Sequence, residues 1–367
     1  MKILFACGGT AGHINPALSI AELIKRNVPD ASAVFVGTPG GMENRLVKEA
    51  GYAIRHVPVE GLRRSLSPRN LRAGVALLRS FGVAKRILAE EAPDLVVGTG
   101  GYVCYPVLRV ASSLGIATVL HESNARAGIA ARMLARRIDL ALVNFPSAKR
   151  DFLKAGKTVV SGNPLRREFY ALTRAEARLK LGLPSDALLL VVFGGSLGAA
   201  KLNETVESAI PRLLSLYPDL RILHAVGRNP GNRGTVRSIG RYERRAYISD
   251  MPICLLAADA AICRAGAMTV SEIAAAGVPS ILIPYPRATG DHQTKNAKAL
   301  DEKGAAILLP ESELTPETLT EKLAPILRDG ENGSRMRAAL RHFRVPDCES
   351  VILREIRSLC PKIDSRS

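Results

Sequence analysis

The sequence predicts two α/β domains built on parallel, doubly wound sheets, and three observations carry that reading. First, one construction occurs twice. Lys2-Ile3-Leu4-Phe5-Ala6-Cys7 feeds Gly8-Gly9-Thr10-Ala11-Gly12 and a helical pattern, and Leu188-Leu189-Leu190-Val191-Val192-Phe193 feeds Gly194-Gly195-Ser196-Leu197-Gly198-Ala199 and the helical segment Ala200–Leu216. Second, strand-like runs alternate with helical patterns through both halves, as right-handed βαβ crossovers require. Third, 367 residues are long for one domain and comfortable for two.

In the first half, strands are expected at Lys2–Cys7, Ala33–Gly37, Asp94–Gly98, Ala117–His121, Leu140–Asn144 and Thr158–Ser161, with helices at Pro16–Arg26, Glu43–Ala50 and Asn70–Glu91. In the second half they are expected at Leu188–Phe193, Leu220–Ala225, Arg245–Ile248, Ala260–Cys263, Ser280–Ile283 and Ala306–Leu309. Gly162-Asn163-Pro164 is the natural joint, because proline holds the residue before it extended. The expected domains are therefore 1–162 and 163–339, and the charged helical tail, about 340–367, can cross back to the first.

No apolar run approaches the ~20 residues needed to span a bilayer. The short apolar start runs into a glycine loop and does not read as a signal peptide, so a cytosolic protein is expected. The six cysteines (Cys7, Cys104, Cys254, Cys263, Cys348 and Cys360) show no C-x-x-C spacing and read as reduced core residues without a metal. A net charge of +17 calls for a polyanionic partner or surface. With 4% aromatics, no Trp and no recognisable motif, nucleic acid is the weaker candidate. The charge is also local: Arg63, Arg64, Arg69, Arg72, Arg79, Lys85 and Arg86 interleave with Leu71, Val75, Leu78 and Phe81 at spacings of three and four. Such a segment can lie on an anionic membrane or pack its apolar stripe on its own domain.

Two places carry candidate chemistry. A glycine loop after a first strand lets a ligand approach the backbone at a helix N-terminus, and His13 adds a titratable group there. In the block Asp259–Pro279 a strand ends at Cys263, a small-residue turn follows, and a helix is expected to start near Met268 or Thr269, where free N–H groups suit a diphosphate. Glu272, placed about one turn in, can accept hydrogen bonds from a ribose diol or serve as an ordinary acid favoured by the helix dipole.

With these residues in view, the chain resembles the bacterial peptidoglycan N-acetylglucosaminyltransferases (the MurG family). The resemblance rests on GGTAGH at Gly8–His13, GTGGYV at Gly98–Val103, HESN at His121–Asn124, GNPLR at Gly162–Arg166, GGSLGA at Gly194–Ala199, CRAGAMTVSEIAAAGVPSILIP at Cys263–Pro284 and DHQTKNA at Asp291–Ala297. It implies a GT-B fold, two Rossmann-like domains facing across a cleft, with acceptor mainly on the first and donor mainly on the second. It implies transfer of GlcNAc from UDP-GlcNAc to the MurNAc C4 hydroxyl of undecaprenyl-diphospho-MurNAc-pentapeptide, lipid I to lipid II, in peptidoglycan synthesis. The implied setting is peripheral, on the cytoplasmic face of the bacterial plasma membrane, with other cell-wall synthesis proteins as possible partners. A glycolipid glycosyltransferase, a UDP-GlcNAc 2-epimerase and a basic nucleic-acid-binding protein are the alternative readings.

Carried over by motif, Thr10, Ala11 and Gly12 lie near the reacting sugar, and Asn124 reads the donor GlcNAc. The resemblance further implies that Arg166 and Ser196 face UDP, that Ile248 touches uracil, and that Ala267, Met268, Thr269, Val270 and Ser271 hold the diphosphate. Glu272 takes the ribose, and Gln293 and Asn296 take donor hydroxyls; Tyr102, Asn203 and Arg264 fall on positions the family also uses. The resemblance implies an inverting attack that needs a general base; His13 is the first choice, with His121 or Glu122 behind it and an acceptor-orienting hydrogen bond the alternative for His13. No Asp-x-Asp pair stands near these motifs, so neither metal nor cofactor is expected. The implied membrane contacts are Arg69, Leu71, Arg72, Val75, Leu78, Arg79 and Phe81. The chain departs from the commoner family pattern at Ala11, where glycine would tolerate any backbone angle, and at Ser123 and Ala131.

Overall fold

The structure is a computed structural model that describes residues 1–59, 68–228, 237–327 and 330–361; for 68–73, 237–239 and 330 only the backbone is described. Two compact units result, Met1–Pro164 with Asp347–Ser367, and Leu165–Pro346.

The first unit runs β1 (Lys2–Cys7), α1 (Ala11–Asn27), β2 (Ser32–Gly37), α2 (Glu43–Glu49), β3 (Ala53–His56), α3 (Pro68–Glu91), β4 (Leu95–Gly100), α4 (Cys104–Ser113), β5 (Ala117–Glu122), α5 (Ile129–Leu134), β6 (Leu140–Val143) and β7 (Lys157–Val160). All strands pair in parallel in the order β3-β2-β1-β4-β5-β6-β7. Strands buried on both faces must be apolar throughout, and β1 places Ile3, Phe5 and Cys7 in one core layer and Leu4 and Ala6 in the other. The strand order reverses between β1 and β4, so the loops after these two strands share the crevice where open α/β sheets bind ligands.

The second unit runs α6 (Glu168–Ala171), α7 (Arg174–Lys180), β8 (Leu188–Phe193), α8 (Ala200–Leu216), β9 (Leu220–Ala225), β10 (Arg237–Ile239), β11 (Tyr242–Arg245), α9 (Met251–Ala257), β12 (Ala260–Cys263), α10 (Ala267–Ala276), β13 (Ser280–Leu282), α11 (His292–Asp301), β14 (Ile307–Leu308), α12 (Pro316–Leu327) and α13 (Gly330–Leu340). Its sheet order is β10-β11-β9-β8-β12-β13-β14. The reversal here lies between β8 and β12, which brings the second glycine loop and the turn before α10 to one crevice.

Two expectations are corrected. The strand expected at Arg245–Ile248 is β11, ending at Arg245, and β10 pairs with it antiparallel, so this sheet is not wholly parallel. Both are short and polar in sequence, and periodicity marks them weakly. β3 was not foreseen for the same reason: its four residues are mostly exposed.

The last helix, α14 (Cys348–Leu359), belongs to the first unit. Asp347 caps it by accepting from Ser350 N at 3.2 Å. Ile352, Ile356 and Cys360 join the core layer of Ile3 and Phe5, and Arg26–Glu349 (2.6 Å) and Lys157–Glu355 (2.5 Å) flank the seam.

Candidate active site

In the first unit the two loops at the reversal lie backbone to backbone. Gly101 must be glycine because its Cβ would meet the carbonyl of Gly8, and Gly100 because a Cβ would fall on the imidazole of His13. Thr99 Oγ1 donates to the carbonyl of His13 at 2.6 Å, and Cys104 Sγ donates to Ala6 O at 3.0 Å while accepting from Gly100 N at 3.2 Å. These bonds tie the start of α1 to the end of β4. Thr10 is the N-cap of α1 with no side-chain cap, so the helix N-terminus is open to an acceptor atom. Ala11 is the first helical residue; among the described non-glycine residues only Ala92 and Asp291 have positive φ, so the alanine carries no left-handed strain. His13 is half-buried, Gly12 is exposed, and Tyr102 is exposed on the neighbouring loop.

His121 and Glu122 end β5. A carbonyl can only accept, so His121 Nε2 donates to Gly162 O at 3.0 Å, and Nδ1 faces Ser123 Oγ at 3.5 Å. Burial pushes this imidazole down to about 4, against the Gly162 hydrogen bond, so it stays neutral. Burial pushes the Glu122 carboxyl up to about 7, opposed by hydrogen bonds from Asn124 and the Gly128 backbone and helped by Asp151. Glu122 Oε1 accepts from Asn124 N at 2.9 Å and Nδ2 at 3.0 Å, which fixes the amide of Asn124.

In the second unit, α10 starts at Ala267, one residue earlier than expected, with Gly266 as an N-cap that lacks a side-chain cap. There is no acid in the first turn of α10, so Glu272 stands in the second, beyond the reach that would make it an ordinary N-terminal acid. Its carboxyl is partly buried; desolvation pushes it up to about 7, and Arg166 pulls it down. Arg166 Nη1 donates to Ser249 O at 2.7 Å, beside the buried Ile248. Ser196 is exposed on the second glycine loop, and its carbonyl accepts from Arg228 N at 2.9 Å.

Several motif residues prove to be committed to the protein itself. Asn203 Nδ2 donates to Val226 O at 2.9 Å, and its Oδ1 accepts from His224 Nε2 at 3.1 Å, while His224 Nδ1 accepts from Tyr242 OH at 3.1 Å. Arg264 binds the carbonyls of Ile283 and Pro284 and the carboxylate of Glu311. Asn296, fully buried, donates from Nδ2 to Ala265 O at 3.2 Å, propping the turn before α10. Val270 and Ser271 are buried, and Ser271 Oγ bonds back to Ala267 O. Met268 and Thr269 are partly exposed, and Gln293 Oε1 accepts from Tyr285 N at 2.9 Å. Glu43, which the sequence reading passed over, is fully buried beneath the first glycine loop.

On α3, Val75 and Leu78 are 45% and 72% exposed, with Arg79 beside them. Phe81 turns inward, packing on Tyr105 at 6.0 Å, because Leu77, Phe81, Ala84 and Leu88 form the helix's inner stripe. The side chains of Arg69, Leu71 and Arg72 lie outside the described residues.

Residues 3–143 match the glycosyltransferase family 28 N-terminal domain, and residues 189–351 its C-terminal domain. The chain is 42% identical to the UDP-N-acetylglucosamine--N-acetylmuramyl-(pentapeptide) pyrophosphoryl-undecaprenol N-acetylglucosamine transferase of Acetivibrio thermocellus, over 92% of each protein. It is 43% identical to the protein of the same name in Carboxydothermus hydrogenoformans, over 92% of this chain and 91% of that one. The crystal structure of Acinetobacter baumannii MurG superposes with a TM-score of 0.77 at 30% identity, covering 97% of this chain and 99% of the other.

Proposed function

The chain belongs to glycosyltransferase family 28, and from that premise we propose how its residues share the work of its reaction. It is a GT-B N-acetylglucosaminyltransferase of peptidoglycan synthesis that moves GlcNAc from UDP-GlcNAc to undecaprenyl-diphosphate-linked MurNAc-pentapeptide. The observation that carries the donor assignment is the start of α10, a helix N-terminus whose N-cap Gly266 makes no side-chain cap bond, with Glu272 in its second turn under the field of Arg166.

UDP sits on the second unit. The α10 N-terminus, with Met268 and Thr269, takes the diphosphate, Glu272 the ribose, and Arg166 and Ser196 the flanks, while Ile248 forms the apolar wall for uracil. Gln293 takes hydroxyls of GlcNAc. Asn203, Arg264 and Asn296 shape the loops that others use. The acceptor lies at the first glycine loop. His13 takes the proton of the MurNAc C4 hydroxyl as that oxygen bonds to the anomeric carbon, and the UDP bond breaks with its electrons going to the diphosphate. A single displacement inverts the anomeric centre. The helix N-terminus and Arg166 stabilise the departing charge, so no resident metal or cofactor is required. His121, neutral and donating to Gly162 O, is a positioning residue, and Glu122 holds Asn124.

No described helix is long and apolar enough to cross a membrane. We place the enzyme peripherally on the cytoplasmic face of the plasma membrane, with Val75, Leu78 and Arg79 of α3 touching an anionic surface. Nucleic acid is not a partner in this reading. The test is incubation with UDP-GlcNAc and a lipid I analogue followed by product mass, with UDP-glucose expected to be at least ~100-fold poorer in kcat/KM. Sugar turnover without an acceptor would point to an epimerase instead.

A further inference from the structure

One buried carboxylate holds two loops together. Glu43 opens α2 and is fully buried. Its Oε1 accepts from Thr38 N and Thr38 Oγ1, both at 2.8 Å, and its Oε2 accepts from Gly9 N at 3.2 Å. The space it fills is made of missing side chains. A Cβ on Gly8 would lie 2.8 Å from Oε1, one on Gly37 would lie 2.5 Å from Cγ, and one on Gly41 would fall within the carboxylate. Gly9, the residue held, has a left-handed backbone (φ 87°), and Thr10 follows as the N-cap of α1. Burial alone would raise the Glu43 carboxyl; hydrogen bonds from Thr38, its own backbone N–H and Gly9 outweigh it, so the acid is ionised.

We propose that Glu43 is a positioning residue of the transfer reaction, its carboxylate fixing the first glycine loop in the shape that presents Thr10 to His13 to the acceptor. This rests on the placement of the acceptor at that loop. The glycines around Glu43 give it no slack, so a changed carboxylate moves Gly9 and, through Thr10, the start of α1.

Steady-state kinetics on the full chain tests this. Glu43→Gln keeps the shape but turns an NH2 toward groups that are themselves donors. It should lower kcat roughly 10- to 100-fold, with donor KM and UDP affinity within about twofold of wild type. Gly41→Ala keeps the charge and displaces the carboxylate, and should lower kcat in the same way. In a Glu43→Ala background, where the space is open, Gly41→Ala should add nothing further. Unchanged kcat in folded Glu43→Gln, or independent losses in the double variant, overturns the proposal. Should Glu43→Ala fail to fold, the two single variants decide alone. His13→Ala separates the two readings. If it spares kcat, the loop is not at the transfer site and the underlying assignment falls; if it lowers kcat while Glu43→Gln does not, only the role of Glu43 falls.

Discussion

The imidazole of His13 occupies the place a side chain on Gly100 would take. That contact, with the Thr99 hydroxyl on the His13 carbonyl, fixes the ring at the crevice instead of leaving it to swing on the surface. The role proposed for His13 as general base can be tested directly. His13→Ala should lower kcat by ~10²–10⁴-fold while UDP affinity stays near wild type, since the nucleotide is assigned to the other unit. Joint collapse of kcat and UDP affinity would make His13 a structural residue.

Glu272 sets a pH dependence. Its carboxyl is pushed up to about 7, so below that pH the folded, unliganded protein holds it neutral. A neutral acid is a poorer acceptor for a ribose diol, so the ribose role proposed for Glu272 favours binding to the ionised form. UDP affinity should therefore rise as pH rises from about 6 to 8, and Glu272→Gln should flatten that rise relative to wild type and weaken binding at pH 8. The comparison cancels the titration of the UDP phosphate, whose second pKa is about 6. Parallel pH profiles in calorimetric titrations would remove Glu272 from the ribose.

Asn203 should act on stability before activity. Asn203→Ala strands His224 Nε2 in the interior, and a buried polar group left unpaired costs ~1–3 kcal/mol. Denaturant unfolding should show a loss of that size, and residual enzyme should keep its donor KM. Unchanged stability with a raised donor KM would return Asn203 to the substrate.

Membrane attachment is tested on the described part of α3. An exposed cation near an anionic leaflet contributes roughly 1 kcal/mol, about fivefold in binding. Leu78→Glu with Arg79→Glu should weaken binding to anionic vesicles by at least about tenfold and lower turnover of the long-chain acceptor, yet spare a short-chain soluble one. Equal losses with both acceptors would assign this face to folding. Phe81, already packed on Tyr105, serves as the contrasting site: Phe81→Ala should cost stability rather than vesicle binding.

The sequence made the central sheet strands and both glycine loops plain, because short apolar runs such as Leu188–Phe193 end in glycine turns. It was poor on edges: Arg237–Ile239 and Tyr242–Arg245 are polar and short, and only pairing defines them. Within the motifs it could not tell an exposed side chain from one that supports the loop. Asn296 and Gln293 stand one helical turn apart, yet one is sealed beneath the turn before α10 and the other reaches the Tyr285 backbone. Glu43 was invisible for a related reason: an acid at a helix start is ordinary until the fold carries Gly8 and Gly9 over it.

The return of α14 to the first unit has a consequence for biosynthesis. Residues 165–346 are translated between the two parts of that unit, so at about 5–20 residues per second the ribosome spends roughly 10–40 s with its first-made half unfinished. During that interval the sites of Ile352 and Ile356, against α1 and β6, are bare to water. Each of these side chains contributes about 1.5–3 kcal/mol when buried, so the opening half of the nascent chain lacks that stabilisation until α14 is made. The half made first is the last to be sealed.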